Sequence, residues 1–192
     1  MDLVTALSRT LPFALASGVN LYATVAVMGL CARFGWVALP EPFHAFGHPL
    51  VIGLALAMYA VEFLADKIPW IDSAWDAVHT VVRPIGGALV AVTALGEAAA
   101  PLQALVALLG GSVAMTTHLS KAGTRAAVNT SPEPFSNWFL SVAEDLFVVG
   151  FSYVALQHPY LALLVSIVIL TALVLSASIL VRFIRRRFAP SR

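Results

Sequence analysis

Along this 192-residue chain, apolar runs of membrane-crossing length alternate with short polar breaks. A bilayer-spanning helix needs roughly 20 mostly apolar residues. Six stretches come near that length: 11–31, 49–65, 77–96, 101–120, 137–157 and 159–181. The second is short and draws on Phe63 and Leu64 to complete its span. Backbone groups in hydrocarbon must be satisfied within the segment, so these spans are helices packed against one another. The pattern predicts an all-α, polytopic membrane helix bundle of about six transmembrane helices. It forms a single transmembrane domain over 1–192, with halves at 1–96 and 97–181 and a basic tail at 182–192. The first run lacks a basic region ahead of it and a clear small-residue cleavage site, so no cleavable signal is expected.

Polar positions inside the runs carry the next layer of information. In the first span Ser17, Asn20 and Thr24 share one helical face. They serve either as a seam where small residues let helices approach, or as a locally opened helix whose Asn20 side chain and freed carbonyls touch a solute. The connection 35–49 carries Pro40, Pro42 and Pro49 and reads as turn-rich, with Trp36 and Phe43 suited to an interfacial belt. His44 and His48 stand four apart, but no Glu or Cys completes a ligand set, and no metal site is assigned.

Composition sharpens the picture. The chain is 60% hydrophobic and 11% charged, against about 25% charged for a soluble domain. A charge near the bilayer centre costs about 2.5–3.5 kcal/mol even on the lenient insertion scale, so such residues are usually paired, buried and functional. Between 62 and 83 lie Glu62, Asp66, Lys67, Asp72, Asp76, His79 and Arg83. Glu62 and Asp66 fall on one face, and Pro69 ends their helix. Ser73 with Asp76 resembles a capping box, which predicts the start of the third helix there. Asp72, Asp76, His79 and Arg83 then form one polar stripe. Pro84 removes a helical hydrogen bond beside Gly86 and Gly87, so a kink is expected.

The fourth helix has Gly110-Gly111-Ser112 in mid-span, a close-packing signal, and ends in a second stripe of His118, Lys121, Arg125 and Asn129. A rigid turn through Pro132 and Pro134 leads into a fifth helix with Ser141, Glu144 and Asp145 about two turns in. Each cluster alone would bury charge without partners. The acidic 62–76 and basic 118–129 segments are therefore expected to meet, Glu62 or Asp66 against Lys121 or Arg125. The sixth helix, Leu161 to Val181, has hydroxyls but no charge and reads as lipid-facing.

With six helices starting inside, Arg9, Lys67, Arg83, Lys121, Arg125, Arg182, Arg185, Arg186, Arg187 and Arg192 fall on the cytoplasmic side and Arg33 alone outside. That bias predicts both termini cytoplasmic. Asn129-Thr-Ser fits a glycosylation pattern but lies on the cytoplasmic side. The C-terminal basic run anchors topology and can bind anionic headgroups, which with the lipid bilayer are the expected partners. A homo-oligomer stays open, a net charge of +1 argues against nucleic acid, and no cofactor is expected. Cys31 is alone, so there is no disulfide framework and no cysteine metal site.

Gly18-Val-Asn20-Leu-Tyr22, Glu62-Phe-Leu-Ala-Asp66-Lys67-Ile-Pro69-Trp-Ile-Asp72, Trp75-Asp76-x-x-His79-Thr and Lys121-Ala-Gly-Thr-Arg125-x-x-x-Asn129-Thr-Ser-Pro-Glu-Pro-Phe-Ser-Asn137-Trp together resemble the DUF4126 family of bacterial membrane proteins. The resemblance spans nearly the whole chain. It implies an integral protein of the bacterial inner membrane and, the family being one of unknown function, brings no substrate. Ser17-Gly18-x-Asn20 ahead of Glu62 pairs with Ala122-Gly123-x-Arg125 ahead of Glu144 as two expected inverted three-helix repeats, although the spacings differ, about 44 against about 21 residues.

Three functions follow. The leading expectation is a small transporter or channel for an ion or small polar solute. Its site would draw on Asn20, Glu62, Asp66, Lys67, Asp72, Asp76, His79, Arg83, Lys121, Arg125, Asn129, Glu144 and Asp145. A membrane enzyme or carrier for a lipid phosphate would instead hold the phosphate with Lys67, Arg83, Lys121 and Arg125 and use His79 with Asp76 in acid–base work. The chain shows no nucleophile motif, Gly-rich phosphate loop or dense carboxylate metal signature. In the third reading, a structural scaffold, the charges only fix helix packing.

Overall fold

The computed structural model of the chain describes residues 2–130 and 135–187, without the side chains of Ile184, Arg186 and Arg187. The expected turn through 131–134, with the Ser131 of the glycosylation pattern, and residues 188–192 of the basic tail lie outside the described residues. The order is α1 (Leu3–Phe34), a short 3-10 helix (Glu41–Gly47), α2 (Pro49–Ala65), α3 (Pro69–Leu95), α4 (Ala100–Val128), α5 (Phe135–Gln157) and α6 (Pro159–Arg187). There is no strand among the described residues. The chain is a polytopic helical membrane bundle. By length and composition α1, α3, α4, α5 and α6 are each able to cross a membrane, while α2 has 17 residues and meets the 3-10 helix at a 63° bend.

Prolines open α2, α3 and α4 within the first two helical positions, where the missing N–H has no helical partner to lose and φ is already set. The third helix therefore starts at Pro69 rather than at the expected Ser73–Asp76 cap. The Ser73 hydroxyl donates to the Pro69 carbonyl at 3.0 Å and caps nothing. Pro84 sits inside α3, which stays helical from Pro69 to Leu95.

The break in the bundle lies elsewhere. Asn20, in the middle of α1, adopts φ −149° and ψ 102°, an extended conformation between two helical stretches. A straight helix of 32 residues would run about 48 Å. Instead α1 doubles back, and both of its ends sit at one end of the bundle. Near its start, Thr5 meets Tyr160 at the beginning of α6 at 3.3 Å, and Ala6 packs with Leu95 and Val106. Phe13 meets Phe43 edge to face at 5.5 Å. In the returning half, Gly29 lies so close to the 3-10 helix that a Cβ there would stand 2.6 Å from the Phe46 carbonyl oxygen. Gly47 lies against Ala32 and Arg33, while Pro42 of the same 3-10 helix touches Gly96 at the end of α3. Thus the start of α1, its end, the 35–48 connection and the α3–α4 turn share one end. The 66–68 turn, Asn129 and the finish of α6 occupy the other.

This hairpin is the core of the molecule. Of its most apolar window 78% is buried, against 6% for α6. Around it α3 and α4 pair closely, because Gly87 faces Ala114 and Gly110 faces Ala91. Small residues at such seams let backbones approach where apolar burial gives membrane helices no mutual drive. Gly18 uses the same device: an added Cβ would strike the Ala114 carbonyl. Large apolar side chains such as Leu54, Val81, Leu89, Leu108, Leu146 and Leu164 point outward, forming the lipid-facing surface. Only the first turns of α6 are well buried, through Ala162, Leu163 and Ser166.

A charged candidate site at the tip of the α1 hairpin

Breaking a helix frees carbonyls on one side of the break and N–H groups on the other. At the tip of α1 both sets are met from other helices. The Gly18 carbonyl accepts from Arg83 Nη1 of α3 at 3.2 Å, and the Val19 carbonyl accepts from Lys121 Nζ of α4 at 3.2 Å. Cations at a helix C-terminus also match its partial negative charge. Asn20 starts the second half as its cap: its Oδ1 accepts from the Ala23 N–H at 2.9 Å. The Asn20 Nδ2 donates to Asp145 Oδ1 of α5 at 3.2 Å. Gly18 packs closely against α4, and the helix opens at Asn20.

Around the tip the two charged segments meet, as expected. Glu62 Oε1 of α2 accepts from Arg83 Nη2 at 2.6 Å and from Lys121 Nζ at 3.2 Å. Asp66 Oδ2 lies 2.8 Å from Arg125 Nη2 and 3.5 Å from Lys121 Nζ. Arg125 Nη2 also stands 3.3 Å from Asp72 Oδ1, and Asn129 Nδ2 donates to Asp72 Oδ2 at 2.6 Å. Asp76 Oδ1 is 3.6 Å from Arg83 Nη1. Glu144 Oε2 reaches both Lys121 Nζ at 3.6 Å and Arg125 Nε at 3.7 Å. Lys67 Nζ donates to Ser141 Oγ at 2.7 Å and lies 3.6 Å over the Phe63 ring. Burial there pulls the Lys67 ammonium below its ordinary pKa.

His79 Nδ1 donates to the Trp75 carbonyl at 2.8 Å, and its Nε2 shares a hydrogen bond with the Tyr22 hydroxyl at 3.0 Å. Trp75 stacks on the His79 ring at 4.4 Å. Arg83 donates to His118 Nδ1 at 2.8 Å, which leaves the proton on Nε2, directed at the Asp76 carbonyl at 3.1 Å. The Arg83 contact thereby fixes His118 as a neutral ring.

All thirteen residues expected at the site lie in or beside this network. Four contributors escaped the residue-type argument. Tyr22 and Thr80 look like ordinary helix residues, yet Tyr22 meets His79 and the Thr80 hydroxyl meets His118 at 3.1 Å. His118 opened the basic stripe without being counted as a site residue. Asn137 accepts from Arg125 Nη1 on Oδ1 at 2.8 Å and donates to the Asp66 carbonyl at 3.0 Å. The signal for it was its place two turns before Glu144 and Asp145, in the first turn of a helix that opens next to Arg125.

Charge does not close in this network. Glu62, Asp66, Asp72, Asp76, Glu144 and Asp145 are six carboxylates, faced by four cations, Lys67, Arg83, Lys121 and Arg125. Glu62 Oε2 and Asp66 Oδ1 are buried and accept no hydrogen bond. Buried carboxylate oxygens without donors are costly unless a proton or cation comes to them.

Residues 7–178 match the family described as "Domain of unknown function (DUF4126)". The chain belongs to the DUF4126 family. No curated protein and no solved structure matches it. Membership assigns no role to the residues at the hairpin tip or along the α3 and α4 stripes.

Proposed function

We propose that this DUF4126 protein is a transporter whose substrate site is the tip of the α1 hairpin, with protons exchanged on the surrounding carboxylates. One observation carries the reading: a broken helix ends inside the bundle, and four other helices aim ionisable side chains at the break. A helix interrupted at membrane depth is tolerated only where it is buried in protein or lines a cavity, and half-helix ends at that depth are the usual ligands of transported ions and solutes. A network serving only to hold helices together would gain by balancing its charges, whereas this one keeps two more acids than bases. Protons on two of the six carboxylates restore neutrality.

The hairpin also sets our proposed orientation. The finish of α6, with Arg182 and Arg185, and the 66–68 turn, with Lys67, face the cytoplasm of a bacterial inner membrane. The start of α1 then lies on the outer side with Arg9 and Arg33. This replaces the expectation of both termini on the cytoplasmic face, because α1 returns to the side on which it begins.

Purified protein in vesicles loaded with a pH-sensitive dye tests the reading under an imposed potassium diffusion potential. Wild-type vesicles should move protons faster than protein-free ones. Glu144→Gln should abolish the difference while leaving folding and insertion intact. Proton movement equal to that of empty vesicles, or full movement in Glu144→Gln, overturns the proposal.

A further inference from the structure

Toward the cytoplasmic end α6 leaves the bundle, and between it and α4 opens a groove of about 850 Å³. Its α4 wall includes Leu119, Ser120, Gly123 and Thr124, its α6 wall runs from Leu173 onward, and Arg182 and Arg185 stand at its mouth. A second space of about 310 Å³ shares Ser120, Thr124 and Leu173 with it and reaches inward to Val19, Lys121 and Glu144. The two spaces thus adjoin, one open to the lipid-facing side and the other at the charged tip of α1. Gly123 does not serve helix packing, since nothing lies within 4 Å of a Cβ added there; it leaves the α4 wall hollow.

We propose that the group handled at the hairpin tip is the headgroup of an anionic lipid, which reaches the tip sideways from the cytoplasmic half of the membrane along the α4–α6 groove. This rests on the transport reading of the tip and names its substrate class. The walls are mostly apolar, as an acyl chain requires, yet carry the hydroxyls of Ser120 and Thr124. The ionisable side chains lining the path are Arg182, Arg185 and Lys121 against Glu144, an excess of positive charge. The larger space lies within the roughly 300–1,000 Å³ of small-molecule sites. At the inner end Glu144 Oε2 is the weakly held partner of Lys121 Nζ and Arg125 Nε, at 3.6 and 3.7 Å. An incoming phosphate oxygen takes that place as Glu144 takes a proton, so the negative charge that arrives is balanced and neither cation is left bare.

The full chain in phosphatidylcholine nanodiscs, doped with a phosphatidic acid that carries a diazirine on its acyl chain, tests this by photolabelling. Adducts should concentrate on residues 116–124 and 173–181, and a phosphatidylcholine probe with the same diazirine should label them far less. Arg182→Gln with Arg185→Gln should lower labelling about fivefold per arginine. Leu173→Trp and Ser176→Trp, each filling the groove from α6, should abolish it, while Leu108→Trp on the outer half of α4 should leave it unchanged. Equal labelling by the two probes, insensitivity to both tryptophans, or displacement by inorganic phosphate overturns the inference. If it is overturned while Glu144-dependent proton movement persists, the transport reading stands with a water-borne solute. Loss of both removes both.

Discussion

Asn20→Ala tests the hairpin at its buried tip. The change removes two interactions with different partners. Losing the cap on the Ala23 N–H costs about 1 kcal/mol. Losing the bond from Nδ2 to Asp145 falls in the class of interhelical hydrogen bonds in membrane proteins, which average about 0.6 kcal/mol and reach about 1.7. Both groups are buried, which puts this bond at the upper end. The sum is about 2–3 kcal/mol. Asn20→Ser keeps a capping oxygen and loses only the second part, so it should cost about 1–2 kcal/mol. Asn20→Asp keeps the cap and sets a second carboxylate against Asp145, so it should cost more than the serine. Unfolding of the purified protein in mild detergent by dodecyl sulfate, followed by tryptophan fluorescence, ranks the three. Equal losses for alanine and serine would mean that Asn20 does not cap a second half-helix. Losses all below about 0.5 kcal/mol, the scale of ordinary surface changes, would remove the tip as an organising element.

Two further outcomes follow from the same geometry. Arg83→Gln leaves the fully buried Glu62 with Lys121 as its one remaining cation and should cost about 3 kcal/mol, the lower end for breaking a buried pair, while adding Glu62→Gln should recover part of the loss; strict additivity in the double-mutant cycle would show that the 2.6 Å contact carries no coupling. Because Cys31 is the sole cysteine and is buried, Val4→Cys and Trp36→Cys, both exposed, should react with a membrane-impermeant thiol reagent from one side and Thr130→Cys from the other. Labelling of Val4→Cys and Trp36→Cys from opposite sides would refute the returning α1.

Much of the architecture was legible because membrane helices must be apolar and about as long as the bilayer is thick. Spans near 49–65, 137–157 and 159–181 appear with the same boundaries or within a few residues of them. The meeting of Glu62 and Asp66 with Lys121 and Arg125 was legible for a thermodynamic reason, since buried charge must find its complement. The reversal of α1 was not. Its apolar run reads as one span, and the extended Asn20 is held by Arg83, Lys121 and Asp145, which no local pattern connects to it. The start of α3 was misplaced because proline reads equally as a stop and as a first-turn residue, and hydrophobicity does not separate the two. Tyr22 and Asn137 gain their roles only from what stands opposite them.

The α1 hairpin also dictates an order of assembly. Its three interhelical tethers come from residues 65, 102 and 125 positions further along the chain. While the ribosome has made only α1, nothing exists to hold the break, and the segment is simply a long apolar stretch leaving the insertion machinery. Arg83 can reach the break once α3 has been made and Lys121 once α4 has, but Asp145 reaches Asn20 only after α5, so the returned form gains its full set of tethers last. Newly made chains must therefore keep α1 waiting beside the translocon or let it cross and later withdraw, so truncation before α3 should change which side of the membrane its end occupies, not merely weaken the fold.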